Sequence, residues 1–260
     1  MIRLATWNVN SLKVRLQQVI SWITANHIDV LALQETKLID ENFPNTIFED
    51  LGFQVTFAGQ KSYNGVAIIS RLPIEDVNIE IPDFSDPQKR FIVATIAGIR
   101  LFNLYVPNGS AVDSEKYHYK LFWLRKVCDY VANQLKLYTN IAIVGDFNIA
   151  PEDQDVHNPT SWEGGVLVSP EERHSYKMIL DLGLQDSFRL LHKDQIEFTW
   201  WDYRGAAFRR NHGLRIDHIL LTQSLADRCN QVKIYRDVRK NEQPSDHVPL
   251  MVELQSIDNG

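Results

Sequence analysis

Residues 2–35, IRLATWNVNSLKVRLQQVISWITANHIDVLALQE, decide the fold. Two apolar runs of strand length flank a stretch in which apolar residues recur at helical spacing. Ser11 is suited to cap that helix, which should end near Asn26. The two strands end in Asn8 and Glu35. Because a polar side chain at the end of a buried strand is costly unless it is paired or binds a metal ion, these two residues are the first candidates for a site.

The same arrangement recurs further along the chain. Other apolar runs are ended, interrupted or closely followed by Asp146, Asn148, Asp217, Asp246 and His247. Magnesium prefers hard carboxylate oxygens, and a divalent metal ion is a common catalyst of phosphate chemistry. Several such polar groups converging at strand ends therefore favour a divalent-metal site that acts on a phosphate ester.

The remaining elements indicate two sheets that pack face to face, with helices outside. Gly98 is placed for a tight hairpin between two β-type runs, and Ser169 for the start of a helix that follows a loop through Gly165. A single α/β sandwich domain over residues 1–255, followed by a short tail at 256–260, fits best. The other β-type runs are 53–58, 65–70, 91–97 and 99–106, and the longest helical pattern covers 114–138.

Composition sets the class of protein. With 44% hydrophobic residues in 260, the chain has ample material for a core. It shows neither a basic-then-apolar leader nor an apolar run of membrane-spanning length, and it contains only two cysteines. We therefore expect a cytoplasmic protein with reduced thiols and no membrane partner.

The net charge of −6 would ordinarily argue against a nucleic-acid partner. A bound cation neutralises part of that charge, however, and the stretch 200–215 interleaves arginines with aromatic residues. Arg209 and Arg210 belong to this stretch, which has the character of a nucleic-acid groove. An ordinary solvated loop is the alternative interpretation.

The residue types at the strand ends suggest distinct roles. Glu35 is the best candidate for the principal metal ligand. Asp146 and Asn148, two positions apart, offer a general base beside an amide that can orient water or phosphate. His247 can donate to a phosphate oxygen, and Asp217 can keep that imidazole protonated and oriented.

Eight motifs, in order, closely resemble the exonuclease III family of apurinic/apyrimidinic (AP) endonucleases, and the resemblance runs from residue 1 to about 255. They are TWNVN (6–10), LQETK (33–37), NGV (64–66), YVPNG (105–109), GDFNIAP (145–151), WDYR (201–204), GLRID (213–217) and PSDH (244–247).

This resemblance implies a four-layer α/β/β/α sandwich of two packed mixed β-sheets flanked by helices. It implies a monomeric DNA-repair phosphodiesterase that uses Mg²⁺, with Mn²⁺ as the alternative ion. Such an enzyme cleaves double-stranded DNA 5′ to abasic sites and removes 3′ blocking groups or nucleotides as a 3′→5′ exonuclease.

The resemblance also assigns residues. Asp146 would activate the attacking water, Asn148 would position the phosphate, and His247, oriented by Asp217, would stabilise the pentacovalent phosphate. Arg209 and Arg210 are assigned to the duplex by charge and proximity alone. The metal set is Glu35 as main ligand, with Asn8, Asp246, Asp146 and Asn148; the phosphate contacts are Tyr105 and Asn108; the slot for a base-less sugar is Trp200, Leu214 and Ile216.

Departures from the family leave alternatives open. Many relatives carry an aspartate where this chain has Asn10, and the loops at 110–120 and 152–165 differ from better-known members. A 3′-exonuclease or 3′-phosphodiesterase with weak abasic-site incision is therefore an alternative. A phosphoesterase of the wider superfamily with a non-DNA substrate is a second, and a catalytically inactive DNA-binding module is a third.

Overall fold

The computed structural model describes residues 1–256. Its strands form two six-stranded sheets, ordered β11-β12-β1-β2-β4-β3 and β5-β6-β7-β8-β10-β9. The strands are β1 Ile2–Asn8, β2 Val30–Gln34, β3 Gln54–Ala58, β4 Val66–Ser70, β5 Glu75–Asn78, β6 Phe91–Ile96, β7 Ile99–Tyr105, β8 Ile141–Asp146, β9 Leu184–Asp186, β10 Asp217–Thr222, β11 Cys229–Ile234 and β12 Leu250–Leu254.

Three long helices and several single turns connect the strands. The helices are α1 Leu12–Ala25, α2 Asn45–Asp50, α3 Glu115–Gln134, α4 Pro159–Trp162, α5 Pro170–Leu180, α6 Ser187–Leu191, α7 Ala207–Arg210 and α8 Gln223–Ala226; 3-10 turns lie at Asp40–Asn42, Asp153–Asp155, Arg204–Ala206 and Arg236–Lys240.

The two sheets are built alike. Each contains one parallel pair, β1 with β2 and β7 with β8, and its other pairings are antiparallel. Strands that run parallel end at the same edge of their sheet, so each sheet brings two consecutive strand ends to one rim. This confirms the mixed two-sheet architecture expected from the sequence.

Side chains of β8 alternate between two cores. Ala142 and Val144 belong to the core between the sheets, whereas Ile141 and Ile143 pack with buried residues of α3 and α5 on the outer face. On the other sheet, Trp22 of α1 meets the ring of Trp7 edge to face, with ring centroids 5.8 Å apart. The layers are therefore helix, sheet, sheet and helix, and the four-layer expectation is confirmed.

A buried polar clamp fixes the sheets relative to each other beneath the rim. The side-chain amide of Asn103 on β7 donates to the carbonyls of Leu33 (3.0 Å) and Ala67 (2.9 Å) in the opposite sheet, and its oxygen accepts from Gln34 Nε2 (2.8 Å). Buried amides so satisfied specify one arrangement of the sheets.

Several local predictions are confirmed. The hairpin at Gly98 joins β6 to β7 with Ala97 and Gly98 both at positive φ, which the two-residue hairpin turn requires. Ser169 caps α5 in a capping box with Glu172. Ser11 precedes α1 as predicted, but its side chain makes no capping hydrogen bond.

Other predictions need correction. The long helix ends at Gln134 rather than Tyr138, because the chain tightens into a turn at that point. The segment through Gly165 is not all loop, since Asn158 and Pro159 open the single turn α4. Strand β5 was not expected, because three of its four side chains are exposed and its sequence is polar.

The domain boundary at 255 stays a prediction, and of the proposed tail 256–260 only Ser256 lies within the described residues. Both cysteine thiols are free and buried. Within residues 1–256, none of the helices is long and apolar enough to cross a membrane.

Candidate active site

Strand register brings three side chains into one row at the rim of the second sheet. On β8, Asp146 pairs with Tyr105 of the parallel neighbour β7 and with Asp217 of the antiparallel neighbour β10. On the facing sheet, β1 ends at Asn8 and β2 ends just before Glu35. Two sets of strand ends, one from each sheet, therefore meet at one rim.

Hydrogen bonds join the two sets across the gap between the sheets. Asn8 Nδ2 donates to Glu35 Oε1 (3.1 Å) and to Asp146 Oδ2 (2.9 Å), and the hydroxyl of Tyr105 donates to Glu35 Oε1 (2.7 Å). Asn8 thus lies between two carboxylates that belong to different sheets. The side-chain nitrogen of Asn8 is thus a hydrogen-bond donor, and its side-chain oxygen accepts from Asn10 N (3.0 Å). The assignment of Asn8 as a metal ligand stays a prediction.

Glu35 is held as a charged carboxylate. Burial by itself would raise its pKa, but Lys37, with Nζ 3.0 Å from Glu35 Oε2, and the donors Tyr105 and Asn8 outweigh burial and lower the pKa. The backbone of Glu35 has a φ of 52°, an uncommon conformation for this residue type. That strain turns the chain out of the sheet directly after β2, so that the carboxylate faces the rim.

His247 lies between two aspartates. Its Nδ1 is 2.8 Å from Asp217 Oδ2, and its Nε2 is 3.7 Å from Asp146 Oδ2, too far for a hydrogen bond. Burial alone would lower the pKa of His247, but the facing carboxylates, Asp217 before Asp146, raise it to about 10. The imidazole is therefore protonated at neutral pH, and its Nε2–H can donate to an incoming anion.

The pKa of Asp146 is also raised, but for a carboxyl group this shift favours the neutral form. Its complete burial, followed by the neighbouring charge of Asp217, outweighs the opposing influence of His247 and of donors such as Asn8, and raises its pKa to about 7. A carboxylate with a pKa near the working pH is suited to accept a proton from water. Perturbed titrating groups of this kind concentrate at functional sites.

The loop after β8 aims a second amide at the same point. Asn148, with a left-handed φ of 50°, donates from Nδ2 to Asp146 Oδ2 (3.1 Å) and to the carbonyl of Val106 (3.0 Å). Its Oδ1 accepts from Asn108 Nδ2 (3.0 Å). Asn148 and Asn108, predicted together from two distant motifs, are therefore in direct contact.

Asp246 connects the rim to the aromatic stretch. Its two carboxylate oxygens accept from Asn10 Nδ2 and from Trp200 Nε1, each at 3.0 Å. The oxygen of Asn10 in turn accepts from the ammonium of Lys37, which also pairs with Glu35. Asn10, whose role the sequence left open, thus links the surroundings of Glu35 to Asp246.

The predicted sugar slot is closed. Leu214 is 0% exposed and Ile216 1% exposed, within an apolar cluster against which the half-buried Trp200 packs. The three residues lie together as expected, but the two aliphatic side chains do not line an open surface. Arg209 and Arg210 are exposed on the short helix α7.

A second buried cluster lies behind the site, and we call it the rear cluster. Arg215 Nε is 2.7 Å from Asp155, and its Nη1 is 2.7 Å from Asp186. Arg189 also pairs with Asp155. His218 donates from Nε2 to Ile149 O (2.8 Å), and its Nδ1 accepts from Arg215 Nη1 (3.1 Å). Successive residues of a strand face opposite sides of the sheet, so His218 lies on the rear side while its neighbour Asp217 lies at the rim.

The rim residues fit a divalent cation. Carboxylate oxygens of Asp146 and Asp217 lie within 4.8 Å of each other, and Asp217 Oδ1 is buried without a hydrogen-bond partner. The protonated His247 lies beside them as a hydrogen-bond donor rather than a ligand. Carboxylate oxygens are the donors that a hard divalent ion prefers. Glu35 and Asp246 lie outside this close group, so their assignment to the metal stays a prediction.

Comparison with known proteins agrees with this geometry. Residues 5–247 match the model of the endonuclease/exonuclease/phosphatase family. The chain belongs to that family. It is 37% identical to exodeoxyribonuclease III of Haemophilus influenzae, over 97% of this chain and 100% of that protein.

Solved structures of family members share the fold. The 3′ phosphatase NExo from Neisseria, bound to a product DNA hairpin, is 42% identical with a TM-score of 0.97, over 98% of this chain and 100% of that chain. An AP endonuclease from Archaeoglobus fulgidus is 41% identical with a TM-score of 0.95, over the same shares of the two chains. The family depends on divalent metal ions, which the acidic rim accommodates.

Sequence reasoning missed three residues that position the site. Lys37 lies inside a quoted motif but was given no role. Ser245 donates to Asn8 O (2.7 Å) and accepts from His247 N (3.2 Å), which ties β1 to the histidine. Lys120 is 0% exposed in α3; its signal was a lysine on the stripe of buried side chains at Tyr117, Leu124 and Val127.

Proposed function

We propose that this protein is a DNA-repair nuclease that hydrolyses phosphodiesters at abasic sites and at blocked 3′ ends of double-stranded DNA with the help of Mg²⁺. Family membership and nuclease relatives over nearly the whole chain make it a hydrolytic enzyme. The observation that carries the finer proposal is that Asp146, whose pKa is raised to about 7, lies beside a protonated His247, with Nε2 3.7 Å from Asp146 Oδ2.

The rim residues divide the chemistry between them. Asp146 accepts the proton of the attacking water, while Asn148, fixed by Asn108, orients the phosphate. His247 donates from Nε2 to a phosphate oxygen on which charge develops, a contribution that is largest in a site with little water. Tyr105, whose hydroxyl donates to Glu35, would contact the scissile phosphate. Glu35, with Asn8 and Asp246 nearby, would hold Mg²⁺, which supplies Lewis-acid stabilisation of the phosphate and the leaving oxygen.

A panel of substrates tests the proposal. Abasic, 3′-phosphorylated, nicked and intact duplexes are incubated with the enzyme, with Mg²⁺ or with excess chelator. We expect the abasic and the 3′-phosphorylated duplexes to be cleaved with Mg²⁺. With excess chelator we expect no cleavage of any duplex. Glu35→Gln should raise the Mg²⁺ concentration needed for half-maximal rate. Full turnover in chelator would contradict the metal assignment, and failure to cleave any of the duplexes with Mg²⁺ would contradict the DNA assignment.

A second candidate function has one observation in its favour. Because Leu214 and Ile216 are buried, a flipped-out sugar would have to displace packed side chains. A 3′-phosphatase or 3′-exonuclease needs no such slot. Trp200→Ala should lower the ratio of kcat/KM for abasic over intact duplex if the slot opens on binding. An unchanged ratio would favour the 3′-end activity as the main function.

Three further assignments remain predictions. Arg209 and Arg210, exposed on α7, should contact the duplex, and their neutralisation should flatten the salt dependence of DNA binding. The monomeric state and the cytoplasmic location are likewise predictions; sedimentation of the purified protein tests the first.

A further inference from the structure

The buried lysine of α3 lies behind the active-site loops rather than at the rim. Lys120 is 0% exposed, and its ammonium group has three acceptors. These are the carbonyl of Asn148 (2.7 Å), the carbonyl of Asn108 (3.2 Å) and the carboxylate of Glu172. An ammonium has three protons to donate, so Lys120 is fully used by these contacts.

Its partner Glu172 is equally buried and equally committed. The second oxygen of Glu172 accepts from the backbone N–H (3.1 Å) and the hydroxyl (2.7 Å) of Ser169 in the capping box of α5. The ion pair therefore anchors Lys120 to a rigid helix start. A buried ion pair is by itself weak evidence for stability, because an apolar pair of the same volume is often as stable.

An apolar pair at these two positions could not donate hydrogen bonds to two loop carbonyls, as Lys120 does. The segments after β7 and β8 run side by side because those strands are parallel, and Lys120 binds one carbonyl from each. The segment at Asn148 is in a left-handed conformation that is uncommon for a side-chain-bearing residue. A hydrogen bond to its carbonyl stabilises that conformation and thereby sets where the side-chain amide points.

We propose that Lys120 is a positioning residue, which fixes the backbones of Asn148 and Asn108 so that their contacting side chains face the phosphate. It touches neither substrate nor metal. Only the kinetic test of this role for Lys120 rests on the proposed function. A misplacement of about 1 Å in a positioned group can cost about 10²-fold in rate, so the effect should be large.

Four variants separate positioning from stability. Lys120→Met leaves Glu172 buried without its partner and should lower both stability and turnover. Lys120→Met with Glu172→Gln removes both charges but keeps an acceptor for Ser169, so it should regain most of the stability. Lys120→Arg keeps the donors. Lys177→Met removes an exposed lysine paired with Asp181 on α5 and is the matched control.

Three quantities are measured on each variant: the unfolding temperature, kcat and KM separately, and hydrogen exchange of the Asn148 backbone amide in metal-free protein without DNA. That amide donates to Asp146 Oδ1 (2.9 Å) and so reports the loop geometry. We expect the double variant to show kcat lower by about 10²-fold, KM within about threefold and faster exchange. Lys120→Arg should recover much of the rate, and Lys177→Met should match the wild type.

Two results would overturn the proposal. One is recovery of kcat together with stability in the double variant, which would mean that the pair is only structural. The other is unchanged protection of the Asn148 amide in that variant, whatever its rate. Because exchange needs neither substrate nor metal, it decides the role of Lys120 even if the wild type cleaves no DNA, an outcome that would instead refute the proposed function.

Discussion

Two buried polar clusters lie on opposite sides of the segment 214–218. The front cluster contains Glu35, Asp146 and Asp217 with Lys37 and His247. The rear cluster pairs Asp155 and Asp186 with Arg189 and Arg215 and includes His218. The front cluster has more acids than bases, and Asp246 nearby adds a further acid. The rear cluster is balanced.

The two buried histidines show what this difference does. Burial, followed by the nearby charge of Arg215, lowers the pKa of His218 to about 4. For His247, two carboxylates outweigh the same burial and raise the pKa to about 10. Equal burial thus gives one neutral and one charged imidazole, and the charge of the neighbours decides which.

The difference also separates structure from function. The charges of the rear cluster balance one another within the protein, and its groups hold loops such as that of Ile149 in place. An excess of buried negative charge is costly unless a cation compensates it. This charge excess supports the proposal that a metal ion and an anionic substrate bind at the front cluster.

The largest effect on turnover should come from Asp146→Asn in the front cluster. The amide keeps the shape but cannot accept the water proton, so turnover should fall by about 10²- to 10⁴-fold. Stability should fall by only about 1–3 kcal/mol, because burial already disfavours the charged carboxylate but the new amide nitrogen must face a donor on one of its two sides. Single-turnover rates and thermal unfolding measure both; Asp181→Asn, in an exposed pair, is the control. A large loss of stability with normal turnover would reverse the roles of the two clusters.

Asp155→Asn in the rear cluster should have the opposite pattern of effects, with a larger loss of stability than of turnover. It leaves Arg215 buried without one of its two carboxylates, and breaking a buried pair costs about 3–5 kcal/mol. Denaturant unfolding measures the loss, with the exposed Asp153→Asn expected to change stability by less than about 1 kcal/mol. Turnover per folded molecule should change less than in Asp146→Asn. Unchanged stability in Asp155→Asn would show that the charge balance of the rear cluster does not contribute to the free energy of unfolding.

A double-mutant cycle tests whether His247 and Asp217 of the front cluster act together. His247→Asn removes the proposed donor to the phosphate, and Asp217→Asn removes the carboxylate that lies 2.8 Å from Nδ1. Since Asp217 acts through His247, the double variant should lose less than the sum of the singles, with an interaction of about 0.5–3 kcal/mol in activation free energy. Strict additivity in kcat/KM would show that the two residues act independently.

Much of this comparison could be read from the sequence. The polar strand ends of the front cluster interrupt apolar runs, so Asp146, Asp217 and His247 were found from pattern, and the family resemblance gave their roles. The two-sheet fold followed from the β-α-β start and its recurrence. Roles for the individual residues stay predictions until the variants are measured.

The rest needed three-dimensional structure. Arg215 and Asp217 are two residues apart yet serve different clusters, because the extended run only becomes a β-ladder at Asp217. Lys120 and Glu172 lie on different helices and are 52 residues apart, and no local sequence signal indicates a contact over such a separation. The closure of the sugar slot depends on packing from α4 and the loops beside it, where the sequence indicated only loop.

The smallest effect should come from His218, through the pH dependence of stability. Its pKa is about 4 in the folded protein, against about 6.5 when unfolded. Between these values the unfolded chain binds a proton that the folded protein does not, so stability falls as pH drops from about 6.5 to about 4, by at most about 1.4 kcal/mol per pH unit. His218→Gln keeps a donor for Ile149 and an acceptor for Arg215 but cannot titrate, so its curve should be flatter in that window. Denaturant unfolding from pH 4 to 7 measures the slopes, with the exposed His118→Gln as control. Equal slopes in wild type and His218→Gln would mean that the rear histidine takes up its proton in the fold as easily as in the unfolded chain, and the electrostatic contrast between the two clusters would be lost.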